Sequence, residues 1–499
     1  MENKITELKK ELVKISRLNN TLALIYWDME TKMPKNAANQ RSEMIEYLSS
    51  EVFKLKTSEK MEKLLNKLTK VNDNLLDVDR RIVALSKKAF DETKKIPEDR
   101  YSSFVKTCAL SFNAWQEAKE KDDFEIFKPY LKQIIDFKKE FIDYLGYGKN
   151  KYDTLLNDYE EGLTTEILDI IFKDLKDGVL DLLKRIQNSP KKIDNSFLFG
   201  DFKKESKERL SKFILEKLGY DFNSGRLDES MHPFTTGFGN KDIRITTNYN
   251  KKDLTDSIFS CIHEGGHGIY EQDIPDNFQG TLLDSSLYMS IHESQSRFYE
   301  NIIGRSKEFW QYFLPYAKYE FESLRDKTLE EFYEAINIVM PSLIRTESDE
   351  LTYNIHIIIR YEIEKDLIND KLNIDNVKDA WNKKYKDYLG VTPNNDSEGI
   401  LQDMHWSDGS FGYFPSYALG NLYSAQMLNT MKKDYKNLYD DLKIGNFSKV
   451  HSWLNENVHK FGALYTPSEL IKNITKEELN SKYFLEYLND KYNKIYDLK

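Results

Sequence analysis

Two cysteines, Cys108 and Cys261, are all the thiols in 499 residues. That is too few for a disulfide framework and suits a reducing compartment. Proline (11) and glycine (21) are also sparse, and the stretches between them are rich in good helix formers, so the chain reads as mostly α. No apolar run approaches the roughly 18 residues of a membrane-crossing helix. The opening MENKITELKKELVKI is charged and amphipathic and lacks the apolar segment of a signal peptide. A basic stripe is missing as well: the net charge is −10, spread over mixed-sign segments such as ELKKEL and KKDYKNLYDDLK. These are solvated helix faces and argue against a nucleic-acid surface. The expectation is a cytoplasmic protein with neither nucleic-acid nor membrane partners.

Histidine is the informative scarcity. There are eight, at positions 232, 263, 267, 292, 356, 405, 451 and 459. If imidazoles do the chemistry, the half of the chain before His232 supplies shape, access or a lid. Residues 1 to about 230 read as successive amphipathic helices, with Leu8, Leu12 and Ile15 on one face and Leu64, Leu65 and Leu68 on another. Pro34 should end or redirect an early helix at Met33. HPFTTGFGNKDIRITTNY, residues 232–249, alternates polar and apolar residues and predicts a short strand or a hairpin about GFGN. Helical pattern resumes at Asp253. Capping boxes are expected at Thr466 with Glu469, where Pro467 takes the first helical position, and at Thr475 with Glu478. No linker, repeat or low-complexity tract divides the chain. It reads as one domain over 1–499, with a helical lobe at 1–230, a catalytic core at 231–430 and C-terminal helices at 431–499.

Residues 263–267 are HEGGH. On a helix capped by Asp253, with Leu254, Ile258, Ile262 and Ile269 as its apolar stripe, His263 and His267 project from one face and can share a metal ion. Glu264 lies about 100° round the helix, placed to accept a proton from the attacking water. Gly266, on the flank, leaves room for substrate or for a packed neighbour. Cys261 reads as a small buried hydrophobe. A catalytic zinc needs a third protein ligand. Asp273 stands where HExxHxxGxxH peptidases place theirs, but Tyr270 replaces the turn glycine. A helix over 286–306 offers Glu293 and His292, which cannot both face the metal, and spacing alone does not choose between them.

Several separate segments then resemble the carboxypeptidase Taq family of metallocarboxypeptidases. They are WDMETKMP (27–34), HPF (232–234), DIRITT (242–247), HEGGH, HESQSR (292–297), IRTESD (344–349), the GxxQDxHW element at 399–406 and GYFPSYALGN (412–421). GNFSKVHSWL and GALYTPSEL carry the resemblance to the C-terminus. Ser348 replaces the usual alanine. The resemblance implies a mostly α, two-lobed body with a deep cleft and a small β element beside the metal, commonly a homodimer. It also implies removal of C-terminal residues from peptides with broad side-chain tolerance, zinc or cobalt as the metal, and Glu293 as third ligand; with Glu293 in that place, His292 supports the ligands or contacts substrate.

The expected chemistry is metal-assisted hydrolysis with Glu264 as base. His405, Tyr413 and Tyr417 are candidates to stabilise the carbonyl oxygen. Arg345 is the leading clamp for the substrate carboxylate, since arginine offers a planar charged fork. Arg244 and Arg297 are its rivals, although Arg297 reads better as an ion-pair partner on the helix surface or between helices. Arg244, alternating with Ile243 and Ile245, is expected to line the cleft on a strand that could add substrate backbone. His232 is a candidate subsite residue. An endopeptidase or a silent peptide-binding protein on the same scaffold are the rival functions.

Overall fold

The computed structural model describes residues 2–71, 75–249, 252–284 and 287–498. Among the described residues, the α-helices ahead of the β segment are α1 (Glu2–Thr31), α2 (Ala38–Lys56), α3 (Glu59–Thr69), α4 (Asp77–Lys95), α5 (Glu98–Lys121), α6 (Phe124–Leu145), α7 (Tyr152–Leu156), α8 (Thr165–Gln187) and α9 (Lys204–Leu218). Leu8, Leu12 and Ile15 are buried, as are Leu64, Leu65 and Leu68, so the apolar faces point where their spacing requires. The chain leaves α1 at Thr31 and turns through Pro34 into a 3-10 turn, Lys35–Ala37.

Three short strands follow, β1 (Gly225–Glu229), β2 (Thr235–Gly237) and β3 (Ile243–Thr247), in the order β1-β3-β2. β2 and β3 form the expected antiparallel hairpin, closed by Phe238 N–H donating to Asp242 O at 3.0 Å. β1 pairs parallel to β3; its sequence, GRLDE, carries only one large apolar residue and gives no strand pattern. β3 is therefore the central strand, and substrate backbone cannot add to it as its sequence suggested. Both of its edges are occupied, leaving only the outer edges of β1 and β2.

The remaining helices are α10 (Leu254–Asp273), α11 (Met289–Arg297), α12 (Lys307–Glu320), α13 (Leu329–Ile336), α14 (Tyr353–Ile368), α15 (Val377–Leu389), α16 (Pro415–Asp434), α17 (Leu438–Lys443), α18 (Ser448–Asn457), α19 (Pro467–Thr475) and α20 (Lys482–Ile495). A π-helical segment, Phe298–Ile303, continues α11. Within the expected 286–306 helix, regular structure starts at Met289, and residue 286 lies outside the described residues. Asp253 caps α10, accepting from Thr255 N–H at 2.7 Å, and Thr466 with Glu469 forms the expected box on α19. The second expected box is absent. Thr475 is the last residue of α19, its hydroxyl donates back to Ile471 O at 2.8 Å, and Lys476 turns left-handed at φ 65°. Its Glu478 pairs instead with Lys472 at 2.7 Å. One apolar cluster runs from Ile5 to Tyr496 and ties both ends of the chain into the same core.

Candidate metal centre

α10 packs on α11 at backbone distance, α16 packs on its other side, and one glycine at each contact permits it. A Cβ on Gly266 would lie 2.7 Å from Ser296 Cα and 2.8 Å from Gln295 O. The missing side chain thus admits a packed neighbour. From the other side α16 presses on α11 through Gly420, whose Cβ would meet Glu293 Cγ at 2.6 Å. Glu293 is held between two helices with no slack.

His263 Nε2 is 3.8 Å, and His267 Nε2 3.5 Å, from the same Glu293 oxygen, Oε2. Ligand atoms of the three side chains lie within 4.8 Å of one another. The outward-facing ring atoms have hydrogen-bond partners that fix which nitrogen faces the cluster. His263 Nδ1 faces Glu300 Oε2 at 2.9 Å, so its proton sits on Nδ1 and Nε2 keeps a lone pair. His292 Nε2 lies 2.9 Å from Glu271 Oε1 and donates there, leaving its Nδ1 to accept from His267 Nδ1. His267 Nε2 is thereby also a lone pair. Such outer partners fix tautomer and orientation in metal sites. Two imidazoles and a carboxylate, all aimed inward, fit Zn²⁺ and leave a fourth position open.

Burial raises the Glu293 carboxyl, but Arg297 and the two histidines outweigh it and hold it well below the usual carboxylate range. Arg297 Nε donates to Glu293 Oε1 at 2.7 Å and its Nη1 to Glu300 Oε2 at 3.2 Å. Arg297 is thus an ion-pair partner, but within α11 and its π-helical continuation rather than between helices, and it is largely buried. Burial pushes His267 down to about 3, with His292 adding to the effect, so the ring stays neutral. Glu264, also buried, has its carboxyl raised, chiefly by desolvation. Its Oε2 accepts from Thr235 Oγ1 at 2.6 Å, which puts β2 beside the metal centre.

His405, Tyr413 and Tyr417 come together with Arg345. Tyr417 Oη lies 3.0 Å from His405 Nε2, the Tyr413 and Tyr417 rings are 5.1 Å apart, and the Arg345 guanidinium sits 4.8 Å from the Tyr417 ring centroid. Arg345 is buried, with Nε and Nη2 on Asp403 Oδ1 at 3.0 and 2.8 Å and Nη1 on Tyr353 Oη at 2.9 Å. Tyr353 links the two groups, since Arg297 stacks on its ring at 4.2 Å. Arg244 goes elsewhere. Register pairs it with Thr236, while Thr235 pairs with Ile245, so it faces away from the Glu264 side of the sheet. There it binds Asp242 at 2.8 Å and lies 4.5 Å from the Trp27 ring, joining the WDMETKMP and DIRITT segments. His232 is exposed, its carbonyl accepting from Ser230 Oγ at 2.6 Å. Cys261 is fully buried and its thiol is pushed up to about 11 by desolvation, as expected of a packed hydrophobe. Asp273 does not reach the Glu293 cluster; it meets His451 and His459 instead.

Sequence reasoning missed Thr235, Glu271 and Glu300. Glu271 was within reach, because His263, His267 and Glu271 recur at i, i+4 and i+8 on one face. Glu300 follows Glu293 by seven residues, two helical turns, through a π-helical segment that no pattern announces.

A mostly helical body in which adjacent helices converge two imidazoles and a carboxylate, beside a buried glutamate, defines a helical metallopeptidase. Comparison with known proteins agrees. The family described as carboxypeptidase Taq (M32) metallopeptidase matches residues 7–492. Carboxypeptidase 1 of Bacillus subtilis is 46% identical over 489 residues, spanning 97% of each chain. Thermostable carboxypeptidase 1 of Pyrococcus furiosus is 37% identical, spanning 97% of this chain and 98% of that one. The crystal structure of an M32 carboxypeptidase from Deinococcus radiodurans superposes with a TM-score of 0.95 at 33% identity, covering 99% of this chain and all of that one. The chain belongs to the carboxypeptidase Taq (M32) family of metallopeptidases. No helix among the described residues is long and apolar enough to cross a membrane.

Proposed function

We propose that this chain is a zinc-dependent carboxypeptidase that releases single C-terminal residues from peptides with broad side-chain tolerance, with Glu264 as general base. The observation that carries the reading is the convergence of His263 Nε2, His267 Nε2 and Glu293 Oε2 beside the buried Glu264 carboxyl. When bound, the metal supplies Lewis-acid polarisation of the scissile carbonyl and a nucleophile at neutral pH.

The protein supplies the rest. Glu264, oriented by the Thr235 hydroxyl, accepts a proton from the attacking water and returns it to the leaving amine. Its raised pKa makes it the stronger base for the first transfer. Tyr413, Tyr417 and His405 are the donors proposed for the developing oxyanion. Burial keeps His405 low, at about 4, so it acts as a neutral donor. Three of the five Arg345 N–H groups are engaged by Asp403 and Tyr353; the other two are proposed to receive the substrate carboxylate. Beside β2 a cavity of about 350 Å³, lined by Asn19, Asn20, Thr236 and Glu271 among others, offers room for upstream substrate residues.

The test is digestion of one peptide as free acid and as C-terminal amide, with products read by mass spectrometry. Stepwise loss of C-terminal residues from the acid, with little action on the amide, supports the proposal. Arg345→Ala should lose that preference while keeping its metal. Internal cuts on both forms would mean an endopeptidase, and no cleavage by metal-loaded protein would mean a peptide-binding protein.

A further inference from the structure

Asp273 ends α10, six residues and about 9 Å along the axis beyond His267. Its Oδ2 lies 2.7 Å from His451 Nε2 and 2.7 Å from His459 Nδ1. His451 stands on α18 and is partly exposed, while His459 opens the 3-10 turn His459–Phe461 and is fully buried. We propose that Asp273, His451 and His459 form a second divalent-cation site, of zinc type, that fastens the end of the catalytic helix to the C-terminal helices.

The hydrogen bonds around His459 carry the argument. Ser294 Oγ donates to Ile291 O at 2.6 Å, so it accepts from the Gln295 amide nitrogen at 2.8 Å. That orients the Gln295 side-chain oxygen toward His459 Nε2, 3.0 Å away, and places the ring proton on Nε2. In the neutral imidazole Nδ1 is then a bare lone pair facing a carboxylate oxygen at 2.7 Å. Two lone pairs at that distance repel. Either a second ring proton or a cation must sit between them. A second proton would serve His459 alone, in a ring that is fully buried. A cation satisfies both rings and the carboxylate together.

Two imidazole nitrogens and a carboxylate oxygen suit Zn²⁺. Tetrahedral zinc at ~2.0–2.1 Å from each ligand spaces the ligand atoms about 3.3 Å apart. Oδ2 must therefore withdraw by about 0.6 Å from each ring. The side chains of Asp273 and His451 are 17% and 27% exposed, which gives them room to move and leaves a position for water. The site acts at a distance on the first centre: His459 holds Gln295, two residues along α11 from Glu293.

The test uses full-length protein stripped with chelator and titrated with Zn²⁺, bound metal being counted by elemental mass spectrometry. Wild type should bind two equivalents and His451→Ala one. Glu293→Ala, which cripples the first site, should keep one equivalent, and Glu293→Ala with His451→Ala should keep none. Co²⁺ gives a second readout, because His451→Ala should remove one of two sets of visible absorption bands. Two equivalents in saturated His451→Ala, or none in Glu293→Ala, would each overturn the proposal. The last result does so whether or not His451→Ala folds.

Discussion

Gly420→Ala tests how tightly Glu293, the proposed third ligand, is held. In an ordinary helix this change stabilises by about 1 kcal/mol, so general propensity predicts a gain. The structure predicts the opposite sign at the metal. The new methyl would stand 2.6 Å from Glu293 Cγ, 2.9 Å from its Cβ and 3.0 Å from its backbone carbon. Carbon atoms in contact prefer about 3.5–4.0 Å, so relief requires a shift of about 1 Å in the Glu293 stem or between α11 and α16. Metal distances tolerate about ±0.2 Å. Overpacking of this kind costs about 1–3 kcal/mol. If the metal-free protein relieves it by moving Glu293, binding must restore the strained position at that cost, which is about 5- to 150-fold in dissociation constant. The assay is Zn²⁺ competition with a chromogenic chelator, with circular dichroism to confirm the helices. A folded Gly420→Ala that binds zinc within twofold of wild type refutes the reasoning. Gly266→Ala should weaken binding at least as much, because its methyl meets α11 backbone rather than a side chain.

Glu264→Gln should keep its metal and lose about 10²–10⁴ in turnover; near-normal turnover in the loaded variant would remove Glu264 as the base. Glu293→Ala should lose affinity at the first centre steeply, whereas His292→Ala should retain metal with reduced affinity, by about 10–100-fold. The reverse order in chelator competition would make His292 the ligand. Asp403→Asn strands two guanidinium groups, Arg345 and the fully buried Arg360, and should cost about 3–5 kcal/mol at neutral pH. Burial raises the Asp403 carboxyl, but Arg345 and Arg360 hold it far below the usual range. A depressed carboxylate stabilises above its unfolded pKa of about 3.9, and that contribution fades as pH falls through the folded value. The stability gap between wild type and Asp403→Asn, read by denaturant unfolding, should therefore narrow below about pH 4; a gap that widens in acid would contradict the assignment.

What could be read from the sequence followed local rules. HEGGH needed only helical periodicity, and the hairpin needed only alternation about GFGN. The third ligand did not follow from spacing, since His292 and Glu293 are adjacent, and family resemblance was needed to favour Glu293. The structure shows why both matter: one ring supports His267 while the next carboxylate faces the cluster. Arg244 and Arg345 looked alike as charged residues in motifs, and the difference lies in long-range partners. Strand register turns Arg244 toward Trp27, and Asp403, 58 positions away, anchors Arg345. β1 was invisible because its pairing to β3, rather than its own composition, makes it a strand. The Thr475 box failed because the preceding helix already owned that threonine.

The sharpest departure from sequence rules is α11 itself. MSIHESQSR has the composition of a solvent-exposed helix, yet Ser290, His292, Glu293, Ser294, Gln295 and Ser296 are all buried. A helix polar on every side has no apolar stripe to hold it in a core, and each unpaired polar atom would cost about 1–3 kcal/mol. Here those atoms are paired. Ser294 and Ser296 donate to Ile291 O and Glu293 O, Ser290 to Glu160, and Gln295 to Ser294. His292 and Glu293 bond Glu271 and Arg297. Serine serves twice, because it satisfies itself on the helix backbone and stays small enough for Gly266 and Gly420 to approach. An apolar stripe would permit the helix to slide or rotate at little cost, since dispersion contacts are not directional. A ring of hydrogen bonds has one register, and a metal ligand needs one register. The segment whose composition suits a surface is buried where it presents the proposed ligand, and local rules fail at the place where a functional site would impose another requirement.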